Sequence, residues 1–279
     1  MISIIICSRT KSIPDSLLDN LKKTIGIEYE LIIIDNSEHK YSIFEAYNIG
    51  IAKSKKNIIC FLHDDIHFVT RDWGGILIEI FNKNPNIGLI GVAGAKSKTK
   101  MPSAWWNCPE EDKCMNILQY FKNGKKEHWC KGFEYSDLED VVAIDGVFMA
   151  AKKENTISFN RELKGFHNYD LNFSFEYLKN GYRVVVTKNI LLEHFSIGNL
   201  NEDWYTSTLQ IHKFYRDFLP LNKSSFVSLK NYEFSNGTNF IEKLLKYKKK
   251  REGFNLWKKV FLINPISKFH FTFFRSFFK

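Results

Sequence analysis

The sequence has no uninterrupted apolar run approaching the roughly 18 residues of a spanning helix, so no transmembrane segment is expected. It begins MISIIICSRT, a short apolar run with no basic segment before it, which reads as a first strand and not as a signal peptide. Cysteine is scarce and odd in number: Cys7, Cys60, Cys108, Cys114 and Cys130. A disulfide framework is therefore not indicated, and a reducing, cytoplasmic setting fits best. Cys108, Cys114, Cys130 and His128 match none of the paired CxxC spacings of structural zinc, so scattered thiols are expected. Glycine-rich phosphate cradles are also missing. Neither GxGxxG nor GxxxxGK[ST] follows any of the first three apolar runs, which argues against a dinucleotide dehydrogenase and a P-loop kinase.

What is present is enough for a full core: 279 residues, 44% hydrophobic, suiting one large domain or a domain with an appendage. Charge is uneven. Residues 241 to 279 hold eleven Lys or Arg against two Glu, a net of +9 that equals the formal charge of the whole chain. The remainder is neutral in sum, and a basic end this localised points to an anionic partner.

Three runs rich in β-branched residues, ISIIIC (2–7), ELIIID (30–35) and NIICFL (57–62), lack alternation and read as parallel strands buried on both faces. Helices are expected between them. Pro14 with Leu17, Leu18, Leu21 and Ile25 gives the first, and Ile43 to Lys53 the second. Asp72 is expected to cap a third helix with an apolar stripe of Trp73, Ile76, Leu77, Ile80 and Phe81, and GLIGVAG (88–94) to form a fourth strand. From 95 to about 139 the pattern breaks into a stretch that reads as an irregular functional loop region. DVVAIDGVFMA (140–150) then reads as strand, turn and strand, Asp170 to Asn180 as a helix, YRVVVT (182–187) as a strand, and Glu202 to Phe218 as a closing helix.

In an open α/β sheet, ligands bind beyond the carboxyl ends of the parallel strands. Here those ends read Cys7-Ser8-Arg9, Asp35-Asn36-Ser37 and His63-Asp64-Asp65. Turn chemistry alone accounts for some polar residues there. Two adjacent carboxylates are harder to accommodate, because they repel unless a cation or hydrogen-bond donors offset them, and a divalent metal is the economical explanation. A metal held against a diphosphate would also replace the missing glycine cradle.

The segments ISIIICSR, YELIIIDNS, EAYNIGIAKSKKNIICFLHDD, AWW, IDGVFMA, FHNYDLNFS with GYRVVV, and EHFSIG occur in an order that resembles the family 2-type nucleotide-sugar glycosyltransferases of GT-A fold. The resemblance is to the bacterial branch with HDD in place of DxD, and it covers about residues 1–218. It implies an α/β, Rossmann-like mixed sheet with a nucleotide-binding half (1–94) and an acceptor-binding half (95–218), followed by a basic amphipathic extension at 219–279. The implied activity is inverting transfer of one sugar from a nucleotide-sugar donor, with UDP favoured, to a saccharide or lipid-linked acceptor, with Mn²⁺ or Mg²⁺ as cofactor.

Residue by residue, the resemblance implies that Asp35, with Asn36, Ser37, Ser8 and Arg9, meets the base or ribose of the donor, and that Asn48 approaches from the following helix. Asp65 would ligate the metal, Asp64 would assist, and His194 would approach from the far side. Asp170 would be the base, kept ionised by its helix N-terminus, with Asp145 the alternative. Apart from the resemblance, Trp105 and Trp106 are expected to contact the acceptor with His167, because aromatic faces suit sugar rings and two consecutive tryptophans in a loop do not easily both point inward; core burial is the alternative. Two positions depart from the family pattern: His63 stands at the first acidic position of the metal motif, among the donor-binding residues, and Tyr169 precedes the base where many relatives have Glu. QxxRW is absent, so a processive polymerase is not expected.

The extension from 241 to 279 mixes Lys and Arg with Phe269, Phe271, Phe273, Phe274, Phe277 and Phe278. Interfacial binding to an anionic membrane accounts for both, more readily than a nucleic-acid arm does. A helix packing its aromatic face on the catalytic domain is the alternative. A peripheral position on the inner face of the cytoplasmic membrane follows as the expected location, and a bacterial surface glycan as the product. Two other functions compete: a sugar-nucleotide nucleotidyltransferase, which usually carries a glycine-rich loop after its first strand, and a catalytically silent sugar- or membrane-binding scaffold.

Overall fold

A computed structural model describes residues 1–196, 198, 200–224 and 228–278. The first three strands and two helices fall where the sequence places them: β1 (Ile2–Ser8), α1 (Asp15–Thr24), β2 (Tyr29–Asp35), α2 (Ile43–Lys53) and β3 (Ile58–Leu62). The strands are parallel, with Ser8 opposite Asp35, so their polar ends emerge level on one edge. Ile4, Ile5 and Ile6 have no exposed surface, as a two-sided core requires, and each contributes about 2 kcal/mol by burial. A capping box starts α2: the Ser42 hydroxyl accepts from Glu45 N–H while the Glu45 carboxylate accepts from Ser42 N–H. Gly50 lets that helix approach the sheet, since a Cβ there would meet Ile5 Cγ2 at 2.3 Å.

Beyond β3 the chain departs from the expected pattern. It forms β4 (Ile66–Phe68), α3 (Trp73–Lys83), β5 (Ile87–Gly91) and β6 (Ala93–Ala95), so the expected single strand at 88–94 is two strands that belong to different sheets. Asp72 precedes α3 with a left-handed backbone (φ 56°) and makes no side-chain cap bond, unlike the cap expected. The stretch from 95 to 139 is also more regular than expected. It holds β7 (Ser97–Lys98), β8 (Lys113–Tyr120), β9 (Lys126–Lys131) and the start of β10 (Leu138–Val141).

The remaining core elements are β11 (Ala143–Ile144), β12 (Phe148–Lys152), α4 (Tyr169–Lys179), β13 (Arg183–Thr187), β14 (Leu192–His194), α5 (Glu202–Phe214) and β15 (Leu221–Asn222). The first sheet has the order β10-β13-β5-β12-β3-β1-β2, with β12 inserted antiparallel between β3 and β5. A second sheet runs β11-β6-β8-β14-β4, with β9 paired to β8. This is the mixed sheet expected of the fold class. Helix α5 stops four residues before the expected Phe218.

The extension is not a free tail. Helices α6 (Lys230–Lys246), α7 (Lys250–Ile263) and α8 (Phe269–Phe277) pack together. Phe240, Ile241, Leu244, Leu256, Val260 and Phe273 share a core with Met101, Ala104, Trp204 and Tyr205, so this core crosses residue 218. Glu233 accepts from the N–H groups of Lys100 (2.6 Å) and Met101 (2.7 Å), and Asn236 Nδ2 donates to the Asn107 carbonyl at 2.9 Å. The segment carrying Trp105 and Trp106 is thereby clamped to α6. Among the described residues, no helix is long and apolar enough to cross a membrane.

Candidate active site

The second sheet brings the distant histidine to the acidic strand end. Strand β14 pairs antiparallel with β4, placing His194 opposite Ile66, and Phe195 N–H donates to the Asp65 carbonyl at 3.1 Å. His63 Nδ1 then lies 3.7 Å from Asp65 Oδ1, and His194 Nε2 lies 3.8 Å from the same oxygen. Oδ1 of Asp65 is buried and has no hydrogen-bond partner, a costly state for a carboxylate. One ligand atom from each of these residues falls within 4.8 Å of the other two. An orphaned acceptor between two imidazole nitrogens fits a divalent cation, and Asp65, His63 and His194 are the residues that would hold it.

Outer contacts orient this set. His194 Nδ1 lies 3.0 Å from Gln119 Oε1, an acceptor, so Nδ1 carries the proton and Nε2 presents its lone pair towards Asp65. Removal from water and the neighbouring His63 push the His194 pKa down, favouring the neutral ligand form. Burial by itself raises Asp65, but the Ser196 hydroxyl and the two histidines outweigh it and hold the carboxyl below its ordinary value. His63, expected among the donor-binding residues, has its Nδ1 within the candidate ligand set. Gln119 was missed altogether, because it lies on β8 within the stretch read as irregular. The signal was available: Asn123-Gly124 is a strong hairpin dipeptide, and Gly124 turns the chain at φ 79°.

The expected base sits at the start of α4. Burial first, and the adjacent Asp145 carboxylate second, push Asp170 up to about 7. This corrects the expectation that the helix N-terminus keeps it ionised: desolvation and like charge exceed the helix contribution. Asp145 is tied down instead, its Oδ1 accepting from Val147 N–H at 2.8 Å and its Oδ2 from Trp105 Nε1 at 2.9 Å. Gly146 follows, and a Cβ there would meet the Tyr169 hydroxyl at 2.3 Å, so IDGVF needs its glycine for Tyr169 to reach His63.

Several expected contacts have other employment. Asn48 uses both amide atoms on the Phe159 backbone, accepting at 2.9 Å and donating at 2.8 Å, so its group is not offered to a nucleotide as expected. Asn36 likewise spans the Tyr41 backbone, with both contacts at 2.9 Å. Trp105 is only 6% exposed, which corrects the expectation that it faces the acceptor, while Trp106 keeps 38% of its surface open. At the donor edge, Asp35 is exposed and held below its ordinary pKa by hydrogen bonds from Ser37. Ser8 is buried, Arg9 is largely exposed, and an Arg9 guanidinium nitrogen lies 3.7 Å from Asp64. His167, partly buried, has a pKa lowered mainly by desolvation. A surface cavity of about 820 Å³ lies elsewhere, lined by Met1, Lys22, Glu28 and Lys56, and includes none of these residues.

The mixed sheet, with an acidic pair and two histidines at its strand ends and Asp145 and Asp170 close by, is the architecture expected of a GT-A fold. The chain belongs to the family described as glycosyltransferase-like, matched over residues 3–217. Similar solved structures include GalNAc-T7 with UDP, GalNAc and Mn²⁺, at 12% identity and a TM-score of 0.51, covering 87% of this chain and 56% of that one. Another is S. aureus TarS 1–349 with UDP-GlcNAc, at 11% identity and a TM-score of 0.44, covering 88% and 66%. The chain thus spans little more than half the length of the first. No curated protein sequence matches.

Proposed function

We propose that this chain is an inverting, divalent-cation-dependent glycosyltransferase moving one sugar from a UDP-sugar to a hydroxyl of a saccharide or lipid-linked saccharide. The observation that carries the reading is the orphaned Asp65 Oδ1 between His63 and His194. Asp65, His63 and His194 would hold Mn²⁺ or Mg²⁺, which would supply positive charge to stabilise the departing diphosphate. The Mn²⁺ and UDP of the GalNAc-T7 structure, a relative in fold, support the choice of cation and nucleotide.

The protein's own groups do the rest. Asp35, ionised and exposed at the end of β2, accepts hydrogen bonds from the base or ribose, with Ser8, Arg9 and Ser37 beside it. Asp64 assists from the same strand end as Asp65. The acceptor hydroxyl oxygen attacks the anomeric carbon, the bond from that carbon to the diphosphate oxygen breaks, and the hydroxyl proton passes to Asp170. A carboxyl pushed up to about 7 is matched to that task near neutrality. Asp145 is less available as a proton acceptor, because both its oxygens already accept hydrogen bonds. The partly open face of Trp106, with His167, contacts the acceptor sugar. The setting is the synthesis of a bacterial surface glycan on the inner face of the cytoplasmic membrane.

Calorimetry tests the reading directly. The wild-type chain should bind UDP tightly only with Mn²⁺ present, and Asp65→Ala should lose that dependence; UDP binding unaffected by the substitution would sink the site. Product analysis separates the alternative: glycosyl transfer releases UDP, whereas a nucleotidyltransferase consumes or forms pyrophosphate.

A further inference from the structure

The packing of α6, α7 and α8 accounts for only part of the aromatic content of the chain's end. Phe269, Phe273, Phe274 and Phe277 lie in or against the core shared with Met101, Ala104, Trp204 and Tyr205. Other large apolar side chains point away from it. Among the described residues, those more than three-quarters exposed are Tyr135, Leu262, Ile266, Phe271 and Phe278. Four of these five fall within the last turn of α7, the following turn, and α8 with its C-cap. Phe261, at 40% exposure, adjoins them.

The pattern follows helix geometry. On α7 the buried residues are Gly253, Leu256 and Val260, which leaves Leu262 on the opposite side with exposed Lys258. Along α8 and its C-cap, Phe271, Arg275 and Phe278 recur at i, i+4 and i+7, one stripe directed away from buried Phe273. The two helices pack antiparallel: Phe261 lies against His270 and Phe254 against Phe277, with ring centroids 5.0 and 5.7 Å apart. Ile266, 94% exposed, sits in the turn joining them.

We infer that the α7–α8 hairpin is an interfacial anchor for an anionic lipid bilayer, with Leu262, Ile266, Phe271 and Phe278 entering the headgroup–acyl boundary. Charge complementarity selects this occupant. Lys258, Lys259, Lys268 and Arg275 flank the apolar residues, and no carboxylate follows Glu252 in the sequence. A second copy would set one cationic face against another, and a polyanion without an apolar phase would leave the phenylalanines in water. Because α6 is clamped to the segment carrying Trp105 and Trp106, an anchored hairpin holds that segment at a fixed height above the surface. An acceptor carried on a lipid would meet it there. The inference rests on the proposed transfer only for this consequence.

The test uses the full chain and no sugar transfer. Co-sedimentation is measured with vesicles of phosphatidylcholine alone and with 30% phosphatidylglycerol, for wild type and for Leu262→Ser/Ile266→Ser/Phe271→Ser. All three positions are exposed, so the variant should keep its melting temperature. Wild type should sediment with anionic vesicles, and the variant should partition about tenfold or more weakly. Sedimentation equal for the two proteins would overturn the inference. So would no vesicle binding by wild type, or a dimer in analytical ultracentrifugation that the triple variant dissociates. UDP and Mn²⁺ binding is measured on the same samples, so a failed anchor and a failed active-site assignment give different results.

Discussion

The Tyr169 hydroxyl lies 2.6 Å from His63 Nε2. This contact joins the first turn of α4, which carries Asp170, to the strand end that carries Asp65. Burial foremost holds the Tyr169 pKa well above the ordinary phenol value, so the hydroxyl remains protonated. With Nε2 engaged by the tyrosine, Nδ1 is the His63 nitrogen directed at Asp65. Tyr169 thus orients His63 towards Asp65.

Replacing Tyr169 by Phe should therefore loosen a ligand without emptying the core. Mn²⁺ affinity is expected to fall roughly 10- to 100-fold, in line with the loss of an outer-sphere hydrogen bond to a metal ligand. The fold should lose about 1 kcal/mol. Titration calorimetry with Mn²⁺ alone reads the first and urea unfolding the second. Unchanged affinity would reduce Tyr169 to a packing residue.

The two adjacent tryptophans should separate in their effects. Trp105 is buried and donates to Asp145, so Trp105→Phe leaves that carboxylate short of a donor and should cost about 1 to 3 kcal/mol of stability. Trp106 packs edge-on against it, with ring centroids 5.5 Å apart, and is partly open. Trp106→Ala should leave the melting temperature nearly unchanged while raising the acceptor KM several-fold, by roughly 1 kcal/mol of lost ring contact. A large stability loss with unaltered KM would place Trp106 with its neighbour in the core.

How much of this was legible from residues alone depends on what each element buries. The parallel strands β1 and β3 announce themselves because a two-sided core demands unbroken apolar runs; β2 carries the same run but is the edge strand, partly open along its length with Ile33 exposed, so its expected burial on both faces does not hold. The half-exposed β9, carrying Lys126, Glu127, His128 and Lys131, gives no such run, so the second sheet and its Gln119 were lost in an apparent loop. Asp65, His194, Asp145 and Asp170 were named through family resemblance and strand-end logic, and the fold brings His194 to Asp65 and Asp145 to Asp170. What neither could supply was the competition for a side chain's hydrogen bonds: Asn48 and Asn36 have the right chemistry for a nucleotide but are consumed by the Phe159 and Tyr41 backbones. The helix N-terminus at Asp170 was visible too, yet its depth and the nearness of Asp145 are three-dimensional facts, and they reverse the sign of the pKa shift.

That reversal gives Asp170→Asn opposite effects on stability and activity. The folded state holds the Asp170 proton up to about pH 7, whereas the unfolded chain releases it in the ordinary carboxylate range. The stabilisation of the protonated group is complete below that range and is lost as pH rises through 7, because ionised Asp170 is disfavoured in the fold. Asparagine has no proton to lose. The variant should therefore gain on wild type between about pH 4 and 7 and keep a constant advantage above, of about 1 to 2 kcal/mol after discounting for the partly open site. Wild-type transfer should show the mirror image, rising with pH to about 7 as the base ionises and then levelling, while the variant binds UDP and Mn²⁺ normally and transfers nothing. Melting temperatures at pH 5 and pH 8, taken without metal or nucleotide, read the first effect, and single-turnover rates over the same range read the second. A variant that gains no stability at pH 8 would mean that Asp170 is not held neutral by burial, and one that still transfers sugar would move the proton acceptor to Asp145.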